Sequence, residues 1–227
     1  MKRFILYLVF CLSFLSMGSY AFQLQPMIQT MAPSGVASSS VYRVDNTSDF
    51  PLPIEVNVLS RTVDEQGNEV LTESDDFLIL PAQTIIAPNR TQAFRVKYLG
   101  QQDIDSSTSY RIVFDQLPVS DSRDSSGVDT VFSFGTLVFV EPKNSQVRLE
   151  VANSEQSIEL LNSGNKVLEL NNTQFVVESD NGDIQEVPWG FFSPVAKYNY
   201  LMPNQKQVIP FSEVFPQPNR IKSVRVK

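Results

Sequence analysis

FLILPAQTIIAPNRTQAFRVKYLG (residues 77–100) and SYRIVFDQLP (residues 109–118) decide how this chain is read. Four apolar residues run into Pro81, and Ile85-Ile86 lead to a Pro88-Asn89 turn. Phe94 and Val96 then share one face of an extended segment, with Arg95 opposite. After a polar loop, Tyr110, Ile112 and Phe114 share a face, with Arg111 and Val113 on the other. Alternation with a period of two, in short runs bounded by Pro, Asn and Gly, marks half-buried β-strands.

The pattern extends in both directions. Val41–Val44 enters a turn at Asp45-Asn46-Thr47-Ser48. Ile54, Val56 and Val58 alternate with Glu55 and Asn57 along a run that reaches Val63. Asp64–Asn68 reads as a hairpin tip. Val128–Val140 reads as one long apolar strand behind the polar tract 120–127, and Glu141–Gln146 breaks the pattern. Beyond the break, SIELLNSGNKVLELNNTQFVV (157–177) reads as two strands around a Ser-Gly-Asn turn, and Asp180–Asp183 as a hairpin turn. LMPNQKQVIPF (201–211) repeats the order of proline, turn and strand seen from Pro88, and Ile221–Val226 alternates to the end. The expected fold is all-β: two immunoglobulin-like β-sandwich domains, residues 22–142 and 147–227.

Residues 1–21 carry Lys2 and Arg3, an apolar run from Phe4 to Met17, and small residues at Ser19 and Ala21. This is a secretory signal peptide with cleavage expected after Ala21. The only cysteine, Cys11, lies inside it, so the exported chain holds no disulfide, thiolate nucleophile or thiolate metal site. There is no histidine, which excludes Ser-His-Asp and Cys-His machinery and histidine metal ligands. The formal net charge is −7, and losing the leader's two bases makes the chain more acidic still. A nucleic acid is therefore an unsuitable partner. No second long apolar run follows the leader, so no stable membrane insertion is expected.

Taken in order, these segments resemble the periplasmic pilus chaperones of the chaperone–usher, PapD-like family. APNRTQAFRV (87–96) is similar to the family's Pro-Gly-x-x-x-x-x-Arg strand, with Asn89 where glycine is usual. SYRIVFDQLP resembles its aromatic strand ending in Leu-Pro or Ile-Pro. FGTLVFVEP (134–142) stands where the family has the long edge strand leading to an interdomain proline, and the Asn162–Asn165 turn is also similar. The VYRV and YRIVF strands look closer to the divergent alternate or archaic branches of the family.

The resemblance implies a chaperone that binds incomplete pilin (fimbrial) subunits by donor-strand complementation and delivers them to an outer-membrane usher. It implies no enzyme activity, no catalytic residue, no cofactor and no metal, with the periplasm as the location. A pilin lacks its last strand; the chaperone pairs its own edge strand into the gap and inserts alternate side chains. Val128, Thr130, Phe132 and Phe134 form the implied inserted face. An apolar edge of this kind is an aggregation liability, so self-association through it is a further expectation. Family members hold the subunit's terminal carboxylate with an arginine on the first strand and a lysine on the last strand of the first domain. Here those places fall near Ile28 and Leu137, and no basic residue occurs between Phe22 and Tyr42 or between Gly127 and Glu141. Arg43 and Arg111, each facing away from its strand's apolar side, are the candidate replacements.

Two other classes fit parts of the sequence. Trp189 with Phe191 and Phe192 could form the platform of an exported adhesin or carbohydrate-binding protein, although aromatic core is the simpler reading. A carboxylate-based hydrolase needs an acidic pair that the sequence does not place. Asp180–Asp183 offers too few oxygen ligands for calcium.

Overall fold

Pro26 divides the first extended segment between two sheets, because a residue without an N–H cannot continue a ladder. Before it, β1 (Gln23–Gln25) pairs antiparallel with β3 (Ser39–Asn46). After it, β2 (Ile28–Met31) pairs parallel with β10 (Ser133–Val140). The computed structural model describes residues 22–64, 67–118 and 131–227. The leader, the polar tract 120–127 and the start of the expected long strand, with Val128 and Thr130, lie outside the described residues.

β1, β3, β8 (Arg90–Tyr98) and β6 (Phe77–Leu80) form one sheet in the order β1-β3-β8-β6. The facing sheet runs β2-β10-β9-β4-β5, with β9 at Thr108–Gln116, β4 at Leu52–Val63 and β5 at Glu69–Glu73. β7 (Gln83–Ile86) pairs with the start of β4. The alternation seen in the sequence is the alternation of burial. Tyr42, Val44, Ile54, Phe94, Val96, Ile112 and Phe114 point between the sheets. Phe114 is fully buried, with Phe94 edge-on at 5.2 Å and Tyr42 at 5.7 Å.

The rest of the chain forms a second sandwich with its own core, so the fold is the expected pair of immunoglobulin-like β-sandwiches. β11 (Leu149–Asn153), β12 (Ser157–Asn162) and β17 (Lys206–Pro210) make one sheet. β15 (Ile184–Pro188), β14 (Gln174–Ser179) and β18 (Ile221–Val226) make the other. Between them lies a two-residue pair, β13 (Leu168–Glu169) with β16 (Tyr200–Leu201), and a single helical turn, α1 (Phe211–Val214), follows β17. Residues 157–177 thus hold three strands, not two. Leu168–Glu169 leaves β12 to pair with Tyr200–Leu201, and the buried Leu170 turns the chain through a 3-10 turn before β14.

Local chemistry recurs in the two sandwiches. Asn46 and Asn162 are both buried at strand ends. Asn46 Nδ2 donates to Phe50 O at 2.8 Å and Ile86 O at 3.1 Å; Asn162 Nδ2 donates to Lys166 O at 2.7 Å and Leu201 O at 2.9 Å. Each side chain satisfies loop carbonyls that a buried turn would otherwise strand. Asn89 and Asn204, each following a proline, have φ of 54° and 62°. Asparagine is among the few non-glycine residues that enter the left-handed region readily, which explains Asn89 at a position where glycine is usual.

Candidate functional site

β10 has one open flank. Gln116 N donates to Phe132 O at 2.9 Å, so Phe132, Phe134 and Thr136 turn their backbone groups to β9. The odd-numbered residues turn theirs away. From Leu137 onward β2 takes up that side: Leu137 N donates to Met27 O at 2.8 Å and Glu141 N to Met31 O at 3.0 Å. Ahead of β2, among the described residues, no strand lies along Ser133 and Gly135.

The side chains of this strand divide by face. Thr136, Val138 and Val140 are fully buried between the sheets. Phe134 continues that row at the mouth of the sandwich, half-buried, with its ring 4.5 Å from Phe22 in an edge contact. Phe132 is next along the row and is 37 % exposed. An exposed phenylalanine one step beyond a core row is an apolar face that no described residue of its domain fully covers. The strand itself begins at Ser133, later than the sequence pattern indicates, within the described residues.

Ile28 and Leu137, where the family's basic residues would fall, are register partners across the β2–β10 pair. Leu137 is in turn the partner of Arg111 on β9, and Arg111 of Leu59 on β4. Arg111 therefore stands in the same cross-sheet row, one strand inward. Its side chain runs over Gly135, where an added Cβ would lie 3.5 Å from Arg111 Cδ, and Nη1 approaches Gly135 O at 3.4 Å. Arg43 is elsewhere: on β3, exposed on the outer face of the opposite sheet, beside Gln25 and Ala93. The structure does not bring the two arginines together.

Arg111 meets two residues that sequence reasoning did not single out. Its Nη2 donates to Glu69 Oε1 at 2.9 Å and its Nε to Glu69 Oε2 at 3.2 Å. Arg61 Nε donates to the same Glu69 Oε1, and Arg61 Nη1 reaches Ser109 Oγ at 3.4 Å. Arg61 and Glu69 flank the hairpin tip on β4 and β5. Opposite charges at the two ends of a short hairpin were the available signal. Burial raises the pKa of the Glu69 carboxyl, but the hydrogen bonds and charges of Arg111 and Arg61 outweigh it and hold the group below its ordinary value of 4.5. The unfolded chain thus binds the proton more readily, so this network's stabilisation is present above about pH 4.5 and fades as pH falls through the lowered folded value. The melting advantage of wild type over Glu69→Gln is expected to be steady at pH 6–7 and to shrink only as pH falls below about 4.5.

Arg61 also lines a cleft of about 680 Å³ between the sandwiches, with Ser109 and Tyr110 on one wall and Tyr198 and Gln205 on the other. The hairpin tip bridges it: Tyr198 Oη donates to Gly67 O at 2.5 Å. Ser107 N donates to Asn165 O at 2.9 Å, Val167 N to Ser107 Oγ at 3.1 Å, and Lys166 pairs with Glu141 at 3.0 Å. Phe139, buried at the end of β10, lies 5.3 Å from the ring of Tyr200. These contacts join the two sandwiches at the C-terminal end of β10, where β2 covers its flank. Trp189 and Phe192 are fully buried in the second core, with Trp189 Nε1 donating to Asn199 Oδ1 at 2.8 Å, while Phe191 is exposed and packs edge-on against Phe192, so two of the three rings are core and do not form a platform.

Residues 31–146 match the family model of the pili and flagellar-assembly chaperone, PapD N-terminal domain. No curated protein matches the chain by sequence. Among solved structures, the class 5 fimbriae chaperone CfaA aligns with a TM-score of 0.63 at 15% identity, over 91% of this chain and 91% of its own. The E. coli chaperone DraB aligns with a TM-score of 0.59 at 14% identity, over 92% of this chain and 96% of its own. A chain from the Salmonella enterica complex of the SafA pilin with the SafB chaperone aligns at 0.58 and 11% identity, over 86% of each chain. At these identities the structural likeness establishes the fold. No helix among the described residues is long and apolar enough to cross a membrane.

Proposed function

Because this chain belongs to the pili and flagellar-assembly chaperone family, we propose that it holds incomplete pilin subunits by donor-strand complementation in the periplasm and passes them to an outer-membrane usher. The observation that carries the reading is the open flank of β10, with the exposed Phe132 extending the row of Phe134 beyond the core. An unpaired edge offers backbone donors and acceptors, and the alternate side chains enter an apolar groove. By sequence alternation alone, Val128 and Thr130, which lie outside the described residues, are assigned to the same donor face. The leader, residues 1–21, directs export; residues 22–142 form the subunit-binding sandwich and residues 147–227 the second one. The protein acts by binding alone, without cofactor, metal or catalytic residue. The same edge can also pair with a second copy when no subunit is present. The complexes solved for similar chains, such as SafA pilin with SafB chaperone, support this assignment of partners.

Arg111 is the anchor for the subunit's terminal carboxylate in this reading. It stands one strand inward from Leu137 in the row where the family carries its basic residues, and its side chain reaches over Gly135, whose outer side is open. Arg43, on the outer face of the opposite sheet, is the weaker candidate. Two parallel charge-assisted hydrogen bonds to a carboxylate fix register along a strand that could otherwise slip by two residues.

Co-expression tests the proposal. An otherwise insoluble pilin should be recovered in a soluble complex with this chain. Arg111→Ala should weaken capture by about 1.5–3 kcal/mol, the range for a hydrogen bond to a charged group, while Arg43→Ala leaves it unchanged. A pilin that stays insoluble beside the folded chain would overturn the reading.

A further inference from the structure

We propose that Arg61 and Arg111 together form a carboxylate site and that Glu69 occupies it in the unliganded chain, so that a partner's carboxylate binds by displacing Glu69. The inference rests on the carboxylate-anchoring reading above and adds to it a second arginine and a built-in competitor.

The geometry is that of an occupied anion site. Glu69 accepts two near-parallel bonds from Arg111, at 2.9 and 3.2 Å, and a further bond from Arg61. This is the forked arrangement by which arginine takes any carboxylate. The two guanidinium groups are largely covered, with side-chain exposures of 12% for Arg61 and 28% for Arg111. Glu69 is 31% exposed, so solvent and an incoming group reach it. Arg111 Nη1 remains at Gly135 O, on the open flank of β10. Arg61 lines the cleft between the sandwiches. A carboxylate that replaced Glu69 would therefore sit at the junction of the cleft and the flank, where a strand added to β10 has to end.

Glu69 is also well placed to leave. It is the first residue of β5, directly after the hairpin tip, and its register partner is Val63 at the end of β4. Releasing it requires a change at the end of a hairpin and not in the middle of a sheet. The tip that carries it is held to the second sandwich by Tyr198 Oη on Gly67 O.

N-Acetylglycine, with N-acetylglycinamide as the uncharged control, tests the site in the full exported chain. The readout is the Nε–H resonances of Arg61 and Arg111 in nitrogen-15 spectra, assigned with Arg61→Lys and Arg111→Lys. In Glu69→Gln both resonances should shift saturably with the acid and not with the amide. Wild type should need on the order of tenfold more acid, since a competitor that fills the site most of the time lowers apparent affinity by the free fraction. Glu69→Ala should behave like Glu69→Gln, which separates loss of the competitor from an effect of the new amide. Equal responses in wild type and both variants would show that Glu69 does not compete. No acid-specific response in any of them would show that the arginines form no exchangeable site. Either result overturns the proposal. Pilin capture is scored independently. If it persists while the acid titration fails, the chaperone reading stands and the Glu69 competitor falls. If the titration succeeds and no pilin is captured, the reverse holds.

Discussion

Phe132→Ala should abolish retention of a pilin subunit while leaving the melting of the free chain unchanged. Phe132 lies outside the core row and is 37 % exposed, so its removal from the free chain deletes little buried contact. Surface substitutions of this kind usually change stability by about 0.5 kcal/mol or less. In the complex the same ring would be buried in the subunit's groove, where truncating an aromatic side chain costs about 3–5 kcal/mol. That is a loss of at least 100-fold in affinity, on the order of two decades or more. Pull-down of the subunit beside thermal melts of the free variant separates the two effects. A variant that melts early and still captures the subunit would place Phe132 in the core and remove it from the donor face. Phe134→Ala should fall between, losing capture and some stability together, because its ring also packs on Phe22 at 4.5 Å.

Phe114→Ala carries the opposite expectation for the same deletion. Phe114 is fully buried, enclosed by Phe94 at 5.2 Å and Tyr42 at 5.7 Å, on β9 and not on the edge strand itself. Its loss leaves a cavity between two sheets that cannot close over it, with a cost of about 3–5 kcal/mol to the first sandwich. For a domain whose whole stability is about 5–15 kcal/mol, that removes a large share of it. Calorimetry of a two-domain chain resolves where the loss falls. The transition of the first sandwich should drop by roughly 10 °C or more, taking about 4–8 °C per kcal/mol for a small domain, while the transition of the second sandwich stays in place. A uniform shift of both would show that the sandwiches unfold as one unit through their shared junction.

The strands were legible because each buries one face, and a buried face writes itself into the sequence as alternation. Tyr110, Ile112 and Phe114 point inward along β9, with Arg111 outward, as the spelling of residues 109–118 states. The same holds for Phe94 and Val96 on β8 and for Ile54 and Val56 on β4. The Pro-Asn turns at Asn89 and Asn204 were readable from residue chemistry alone, since few residues accept their positive φ. The short β13 was missed because two residues have no period; Leu168–Glu169 is a strand only because Leu201 and Tyr200 lie beside it.

The arginines show the division most plainly. Alternation by itself determined that Arg43 and Arg111 face outward, and composition determined that neither stands near a histidine, a thiolate or a basic tract. Whether they share a site depends on which sheet each strand joins, and that follows from pairing partners far away in the chain, not from local pattern: Arg43 on β3 pairs with Ala93 on β8, and Arg111 on β9 pairs with Leu59 on β4 and Leu137 on β10. Only the tertiary structure placed Arg111 in the row of Ile28 and Leu137, brought Arg61 and Glu69 to it across a hairpin, and, among the described residues, left the start of β10 unpaired on one side. Side-chain direction is a property of a single strand with a period of two. Neighbourhood across a sheet is a property of chain closure, which no local period encodes.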